Sequence, residues 1–185
     1  MKPLQSIAMG LVVVILVAEF RGYDAYVDPL GWLLVLYGLR GLPSETPYRS
    51  AMWYVGGLAS LVSIPLWVPT VAALVDDADP ALGWAANLPK FGFAAVLCLG
   101  LVRAAAGAGA RKEAGWLRIA LTGVTVVMVL PVLVFGAGLS ELGEPATLAA
   151  QVVLLVLIVL LFSYSGRAWA GAPVPESAAD ESGGT

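Results

Sequence analysis

The apolar run at residues 148–162 constrains the fold more than any other part of this sequence. Twelve of its fifteen residues are Leu, Val, Ile or Phe, and Gln151 is its only strongly polar member. Insertion of such a run into a lipid bilayer is favourable by roughly 4 to 7 kcal/mol. The run therefore predicts a transmembrane helix.

The composition extends this interpretation to most of the chain. Of the 185 residues, 59% are apolar and 12% are charged, whereas soluble domains average about 45–50% apolar and about 25% charged residues. A water-soluble domain of this size has too little interior to hide so much apolar surface. Disordered chains are poor in apolar residues. The composition therefore predicts a polytopic membrane protein.

Five further apolar segments complete the predicted set of spans. They cover residues 4–20, 30–42, 51–75, 81–107 and 116–139. The first is expected to remain uncleaved, because no small-x-small site precedes Glu19. The second makes a helix of only ~20 Å, against a hydrocarbon core of about 30 Å. We therefore predict an all-α fold of six transmembrane helices in three hairpins, with five helices plus a re-entrant segment at 30–42 as the alternative.

Prolines interrupt three of these spans. Pro65 and Pro69 fall in the third, Pro89 in the fourth and Pro131 in the fifth. Proline removes a backbone hydrogen bond and clashes with the preceding turn. We therefore expect a break or a kink at each of these positions.

Basic residues are sorted by membrane face in the six-span arrangement. With the N-terminus inside, the inner face holds eight of the ten Lys and Arg residues, and Arg21 and Lys90 lie outside. An excess of this kind is typical of cytoplasmic segments, so both termini are expected to be cytoplasmic in a cell membrane. The re-entrant alternative, with the N-terminus outside, exchanges Lys2 and Arg21 and gives the same division. The inner residues are Lys2, Arg40, Arg49, Arg103, Arg111, Lys112, Arg118 and Arg167.

The composition changes near the end of the chain. After Trp169 the sequence becomes acidic and rich in Pro, Ser and Gly. Such a segment cannot bury enough apolar surface to fold. We therefore predict a transmembrane helical domain at 1–169 and a disordered acidic tail at 170–185.

A short motif at the start of the second span recurs at the start of the fourth. Asp28 and Asp79 are each followed by Pro and then by Gly-Trp, and Glu144 before Pro145 is a weaker third copy. An Asp side chain accepts hydrogen bonds from free N–H groups at a helix start, and Pro suits the first helical turn. The pattern predicts helix starts at all three positions. An internal repeat explains it, and so does independent use of a good helix start.

The phrase VDPLGWLLVLYGLRGLP at residues 27–43 follows the first span and a short acidic loop. It resembles a motif in small multi-pass membrane proteins of unknown function from Gram-positive bacteria, which have a run similar to LPDxxGYxLxxxGL in the same place. Those proteins often have Tyr at the position of Trp32. The resemblance implies a bacterial membrane protein and assigns no activity.

The short second span and the Pro-interrupted fourth span occupy corresponding places in the repeat. In transporters such a pair of segments indicates a substrate site, and ionisable groups at membrane depth are functional candidates. The corresponding site here lies near the outer ends of the second and fourth helices. The alternative is a pair of aromatic anchors beside two helix caps. The candidate residues for a substrate or ion site are Glu19, Asp28, Trp32, Asp79, Trp84, Asn87 and Lys90.

The residue inventory argues against catalysis. The chain has no histidine and a single cysteine, Cys98, which removes the histidine-dependent nucleophile dyads and zinc sites. Cys98 itself is expected to be a buried packing residue. The net charge of −3 has the wrong sign for a nucleic-acid binder. No pattern for a catalytic residue, a cofactor or a metal ligand set is present, so none is predicted.

Two functions remain open at this point. The first is a structural or accessory membrane component, acting in the lipid bilayer as a homo-oligomer or as part of a larger membrane complex. The absence of deeply buried charges favours it. The second is a small-solute transporter or channel, which the repeat and the interrupted helices favour.

Overall fold

The computed structural model describes residues 1–15, 19–20, 23–24, 28–78, 80–137 and 143–173. Its described part is almost entirely helical, as the sequence predicts. The helices are α1 (Pro3–Ile15), α2 (Asp28–Arg40), α3 (Arg49–Leu66), α4 (Pro69–Ala78), α5 (Pro80–Gly107), α6 (Arg111–Gly136) and α7 (Gly143–Tyr164). A two-residue antiparallel pair, β1 (Glu19–Phe20) and β2 (Tyr23–Asp24), lies between α1 and α2, and a 3₁₀ turn (Ala168–Ala170) follows α7.

Three of the helices are long and apolar enough to cross a membrane. The qualifying segments are Ala81–Gly107 in α5, Arg111–Val134 in α6 and Gly143–Tyr164 in α7. At 1.5 Å per residue, even the shortest of them exceeds the hydrocarbon thickness of about 30 Å. By length and composition these helices are consistent with a membrane location.

The helices close into a ring. In chain order, α1 packs on α2, α2 on α3, α3 on α5, α5 on α6 and α6 on α7, and α7 returns to α1. The remaining helix, α4, packs on α5 and α3. Short connections make sequential helices antiparallel neighbours. The interior is aliphatic and aromatic, and the buried polar or charged residues in the described ranges are Ser6, Thr46 and Ser63.

Glycines allow α1 and α2 to approach each other closely. A Cβ atom built on Gly31 would lie 2.7 Å from the carbonyl oxygen of Gly10, and one built on Gly38 would lie 2.8 Å from that of Pro3. Gly31 and Gly38 are seven residues apart and therefore share one helix face. The missing side chains let two backbones meet, as small residues do between membrane helices. This close contact fixes α1 and α2 as an antiparallel pair.

The first helix is shorter than the sequence predicts. The predicted span at 4–20 becomes α1, which ends at Ile15, and Glu19–Phe20 belong to β1. Glu19 pairs with Asp24 and Phe20 with Tyr23, so this part of the backbone has cross-strand partners where a helix would supply partners along its own axis. The prediction of a helix through Phe20 is therefore wrong.

The prolines have two different outcomes. The predicted third span divides into α3 and α4 at Trp67 and Val68, and Pro69 is the first residue of α4, where its missing N–H has no helical partner to lose. Pro89 and Pro131, by contrast, lie inside α5 and α6, which continue through them. The fourth and fifth spans are therefore not broken at these prolines, and a kink there stays a prediction. Packing against neighbouring helices holds a proline within a membrane helix.

One end of the bundle collects the predicted inner ends of the helices. The first turn of α1 packs against Gly38 near the end of α2. Arg103 of α5 lies over the ring of Tyr48, with Cζ 4.6 Å from the ring centre. Beyond α7, Arg167 forms an ion pair with Glu113 of α6 at 3.1 Å. We call this the basic end, because α-helix ends and connections there hold Lys2, Arg40, Arg49, Arg103, Arg111, Lys112, Arg118 and Arg167.

The chain beyond α7 folds back over the basic end. Ala170 is fully buried in the 3₁₀ turn, and a Cβ on Gly171 would lie 3.2 Å from the carbonyl oxygen of Gly41. Residues 174–185, which make up most of the predicted tail, lie outside the described residues.

Candidate functional site

The three acid-Pro motifs stand at helix starts. Asp28 is the first residue of α2, Pro80 is the first residue of α5, and Glu144 lies in the first turn of α7. A carboxylate at this position complements the positive end of the helix dipole. The predicted helix starts are therefore confirmed, and a common origin of the three copies stays a prediction.

The first copy of the motif contributes a contact between two helices, α2 and α5. The indole ring of Trp32 meets the ring of Phe93 edge to face, with centres 5.4 Å apart and planes at 84°. Trp32 is 2% exposed and Phe93 is fully buried. The edge-to-face geometry is favourable for aromatic pairs. This pair fills the space between the two helices.

A pair of opposite charges lies about one helical turn from the aromatic contact. Asp28 precedes Trp32 by four residues and Lys90 precedes Phe93 by three, so each charge shares a helix face with one of the rings. Asp28 and Lys90 therefore lie near each other at this contact, and they do not form a direct ion pair. Asp28 lies ahead of the predicted second span, and its burial raises its pKa while Lys90 opposes that rise. The structure thus brings three candidate residues together: Asp28, Trp32 and Lys90.

The other candidate residues differ in their surroundings. Asn87 is exposed, and its amide donates to the carbonyl oxygen of Gly83 in its own helix at 2.9 Å. The indole N–H of Trp84 is buried and has no acceptor. Glu19 lies in β1, where only its backbone is described, and Asp79 lies outside the described residues. The motif in α5 therefore does not reproduce the surroundings of the motif in α2.

A second polar site, which the sequence analysis missed, lies at the basic end. The connection between α2 and α3 forms an open groove of about 520 Å³. Its walls mix hydroxyl, aromatic and guanidinium groups. The lining residues are Ser44, Thr46, Tyr48, Arg49, Ser50, Trp53 and Tyr54.

The groove is held in shape by contacts to α5 and to the end of α2. Gly100 of α5 packs against Met52 and the carbonyl oxygen of Pro47. Tyr48 has a left-handed backbone conformation, with φ 61°, which L-residues other than glycine seldom adopt. Its ring supports Arg103. The sequence signal for this groove is the run YRSAMWY at 48–54, in which aromatic residues at both ends flank a basic and a hydroxyl residue.

Metal binding and reactive thiol chemistry receive no support from the part of the chain that the structure describes. There, no group of three or more His, Cys, Asp or Glu side chains is arranged to hold a metal ion. Cys98 is fully buried in the apolar core, which confirms its prediction as a packing residue.

Comparison with known proteins does not assign a family. A scan against protein-family models finds no model that matches the chain. Searches of curated proteins and of solved structures find no match either. Only the residues and their geometry therefore bear on the function of the chain.

Proposed function

We propose that this chain is a six-span integral protein of a bacterial cell membrane that serves as a structural or accessory component, alone as a homo-oligomer or within a larger membrane complex. The observation that supports this most is the separation of charge from the core. In the described ranges the fully buried side chains are apolar apart from Ser6, Thr46 and Ser63. Most charged groups lie instead near helix ends, where headgroups and water stabilise them. Lys90, which lies within α5, is an exception.

The basic end supports the proposed topology. Eight basic residues share it, and the positive-inside tendency assigns such an end to the cytoplasm. The antiparallel contact of α1 and α2 through Gly10 and Gly31 supports six spans over a re-entrant second segment, because α2 is a single helix that runs back along α1. Both termini are then cytoplasmic.

Two long helices offer surfaces for lipid or for a partner. The outward faces of α6 and α7 are aliphatic, and their side chains are mostly 40–60% exposed. Exposed apolar surface of this extent is buried by lipid or by another protein. The exposed residues include Ile119, Val126, Val129 and Val132 in α6, and Leu148, Val152, Leu155 and Val159 in α7.

An alternative function is transport of a small solute or an ion. The specific observation that favours it is the Asp28–Lys90 pair, which sits above the Trp32–Phe93 contact near the end of the bundle opposite the basic end. Opposite charges beside a buried aromatic pair resemble a site where an ion or a solute enters. Ionisable residues within membrane segments mark substrate and ion pathways.

Flux through reconstituted vesicles separates the two functions. The purified protein is placed in vesicles, and proton, sodium, potassium and chloride flux is measured with entrapped dyes. An accessory component gives flux equal to empty vesicles in the wild type and in Asp28→Asn. A transporter gives flux that Asp28→Asn and Pro131→Ala abolish. The control Thr122→Ala, at an exposed residue of α6 outside the candidate site, leaves the flux within about twofold, since surface substitutions usually change energies by about 0.5 kcal/mol at most. Flux of that pattern contradicts the accessory role.

A further inference from the structure

The groove at the basic end contains donors that no atom of the described residues satisfies. Within that part of the chain, the hydroxyl of Thr46 is buried without a hydrogen-bond partner, and Thr46 is 7% exposed. The Nε–H of Arg49 is also buried, and no acceptor for it lies among the described residues. Buried polar groups are nearly always satisfied in a folded protein. Both residues line the same groove, and a ligand with acceptor atoms that enters the groove would supply the missing partners.

One contact already holds the guanidinium of Arg49 beside the groove. Its Nη2 donates to the carbonyl oxygen of Arg40 at the end of α2, at 3.3 Å. Arginine binds phosphate through several donors in a fixed plane. A group held by one contact loses less conformational entropy when the ligand binds.

The nearby charges favour an anion. Arg40 and Arg103 lie at the same end of the bundle, and Arg103 packs on the groove residue Tyr48. Glu45, which follows the groove residue Ser44, accepts a hydrogen bond of 2.8 Å from the Ser44 hydroxyl, and that bond lowers the pKa of Glu45. The other side-chain donors of the groove are the hydroxyls of Thr46, Tyr48, Ser50 and Tyr54, the indole N–H of Trp53 and the guanidinium of Arg49.

The aromatic residues place the groove at a membrane surface. Tyr54 is 79% exposed and Trp53 is half-buried, one after the other in the first two turns of α3. Trp and Tyr are enriched where headgroups meet acyl chains. A volume of about 520 Å³ is within the range of sites that hold small organic ligands, about 300–1,000 Å³. A glycerophosphate headgroup fits this range.

We propose that this groove binds the phosphate group of an anionic phospholipid headgroup, with Thr46, Arg49 and Ser50 as phosphate donors and Trp53 and Tyr54 against the glycerol backbone. The proposal rests on the proposed membrane location and is independent of whether the chain is an accessory component or a transporter. It predicts that the basic end selects anionic lipid at one defined position, beyond the general attraction of basic residues to an anionic leaflet.

The test is lipid binding to the delipidated full chain in mild detergent, followed by native mass spectrometry. Phosphatidylglycerol, phosphatidylcholine and inorganic phosphate are titrated separately. The variants are Thr46→Val and Arg49→Gln, and the matched control is Arg111→Gln, an exposed arginine at the same end and outside the groove. Circular dichroism of each variant confirms that the helices remain.

We expect phosphatidylglycerol to bind about tenfold or more tightly than phosphatidylcholine. Loss of one charge-assisted phosphate contact weakens phosphatidylglycerol binding by about tenfold or more in Arg49→Gln, and Thr46→Val weakens it by several-fold. Arg111→Gln stays within about twofold, as expected for an exposed charge. If Arg49→Gln loses helix content, the Thr46→Val result alone decides whether the groove is the lipid site, because Val has nearly the shape of Thr and lacks only the hydroxyl.

Three results overturn the proposal. Equal binding of both lipids, or equal loss in Arg111→Gln and Arg49→Gln, shows a diffuse charge effect. Unchanged binding in Thr46→Val with folded protein removes the groove as the site. Competition by inorganic phosphate at the same concentration as phosphatidylglycerol assigns the groove to free phosphate. Extraction of cell membranes with sodium carbonate tests the membrane location separately. If the chain stays in the membrane fraction but fails the lipid-binding test, the lipid site is refuted and the proposed membrane function stands.

Discussion

Because α1 and α2 approach each other closely, we expect two glycine-to-alanine substitutions to change the free energy of unfolding in opposite directions. In Gly31→Ala the new Cβ lies 2.7 Å from the carbonyl oxygen of Gly10 and 2.6 Å from Cγ2 of Val14. The shortest ordinary contact between carbon and a carbonyl oxygen is about 3.3 Å. The helices must therefore separate by about 0.6 Å or more, and a gap of that size forfeits about a quarter to a half of each dispersion contact along the interface.

The matched control is Gly57→Ala in α3. A Cβ on Gly57 meets no atom within 4 Å, so only the backbone effect remains, and alanine stabilises a helix interior relative to glycine by about 0.5–1 kcal/mol. Overpacking a close interface costs about 1–3 kcal/mol. The free energy of unfolding should thus fall in Gly31→Ala and rise in Gly57→Ala.

The measurement is unfolding of both variants in dodecylmaltoside micelles by titration with sodium dodecyl sulfate, followed by circular dichroism. The midpoints of the two variants are expected on opposite sides of the wild-type midpoint. A Gly31→Ala midpoint equal to or above that of Gly57→Ala would show that α1 and α2 do not meet through their backbones. It would also remove the support that this contact gives to the six-span arrangement.

Two other substitutions test the interior. Trp32→Ala removes a ring that is 2% exposed and packed on Phe93, and it should lower the free energy of unfolding by about 3–5 kcal/mol. The control is Trp116→Ala, at a residue that is 56% exposed. In the same titration it should lower the free energy of unfolding by less than half as much. Thr46→Val replaces a buried, unpartnered hydroxyl and should raise the thermal midpoint of the lipid-free protein, because an unsatisfied buried polar group costs about 1–3 kcal/mol. A lower midpoint would show that the Thr46 hydroxyl has a partner within the protein.

The apolar runs were sufficient to predict the helices but not all of their ends. The run at 148–162 lies within α7, and the acid-Pro motifs mark the starts of α2, α5 and α7. These features depend on local chemistry: apolar content, backbone capping and the helix dipole. The end of α1 at Ile15 was missed, because β1 and β2 pair with each other and a strand pair depends on residues that are not in the helix.

The prolines show the same difference between what local sequence predicts and what distant residues determine. Pro69 looks no different in sequence from Pro65, Pro89 and Pro131, yet Pro69 begins a helix whereas the other three lie inside one. A proline removes one hydrogen bond in every case. Whether the helix continues depends on the neighbours that pack around the proline, and those neighbours come from distant parts of the chain.

The candidate sites divide in a similar way. The sequence singled out Asp28, Trp32 and Lys90, and the structure brings them together because a spacing of three or four residues aligns side chains on each helix. The groove at the basic end was not predicted. Its donors are unremarkable in sequence, and only the burial of Thr46 and Arg49 Nε without partners distinguishes them.

The sequence alone determined that the chain is helical and apolar, that basic residues sit at one set of helix ends, and that conventional catalytic groups are scarce. These properties follow from composition and spacing, which act along the chain. Only the tertiary structure decided which glycines bring two backbones together, which tryptophan is buried, and which polar groups lack a partner. These depend on atoms that become neighbours when α1, α2, α3 and α5 pack, and burial without a hydrogen bond is a property of that packing.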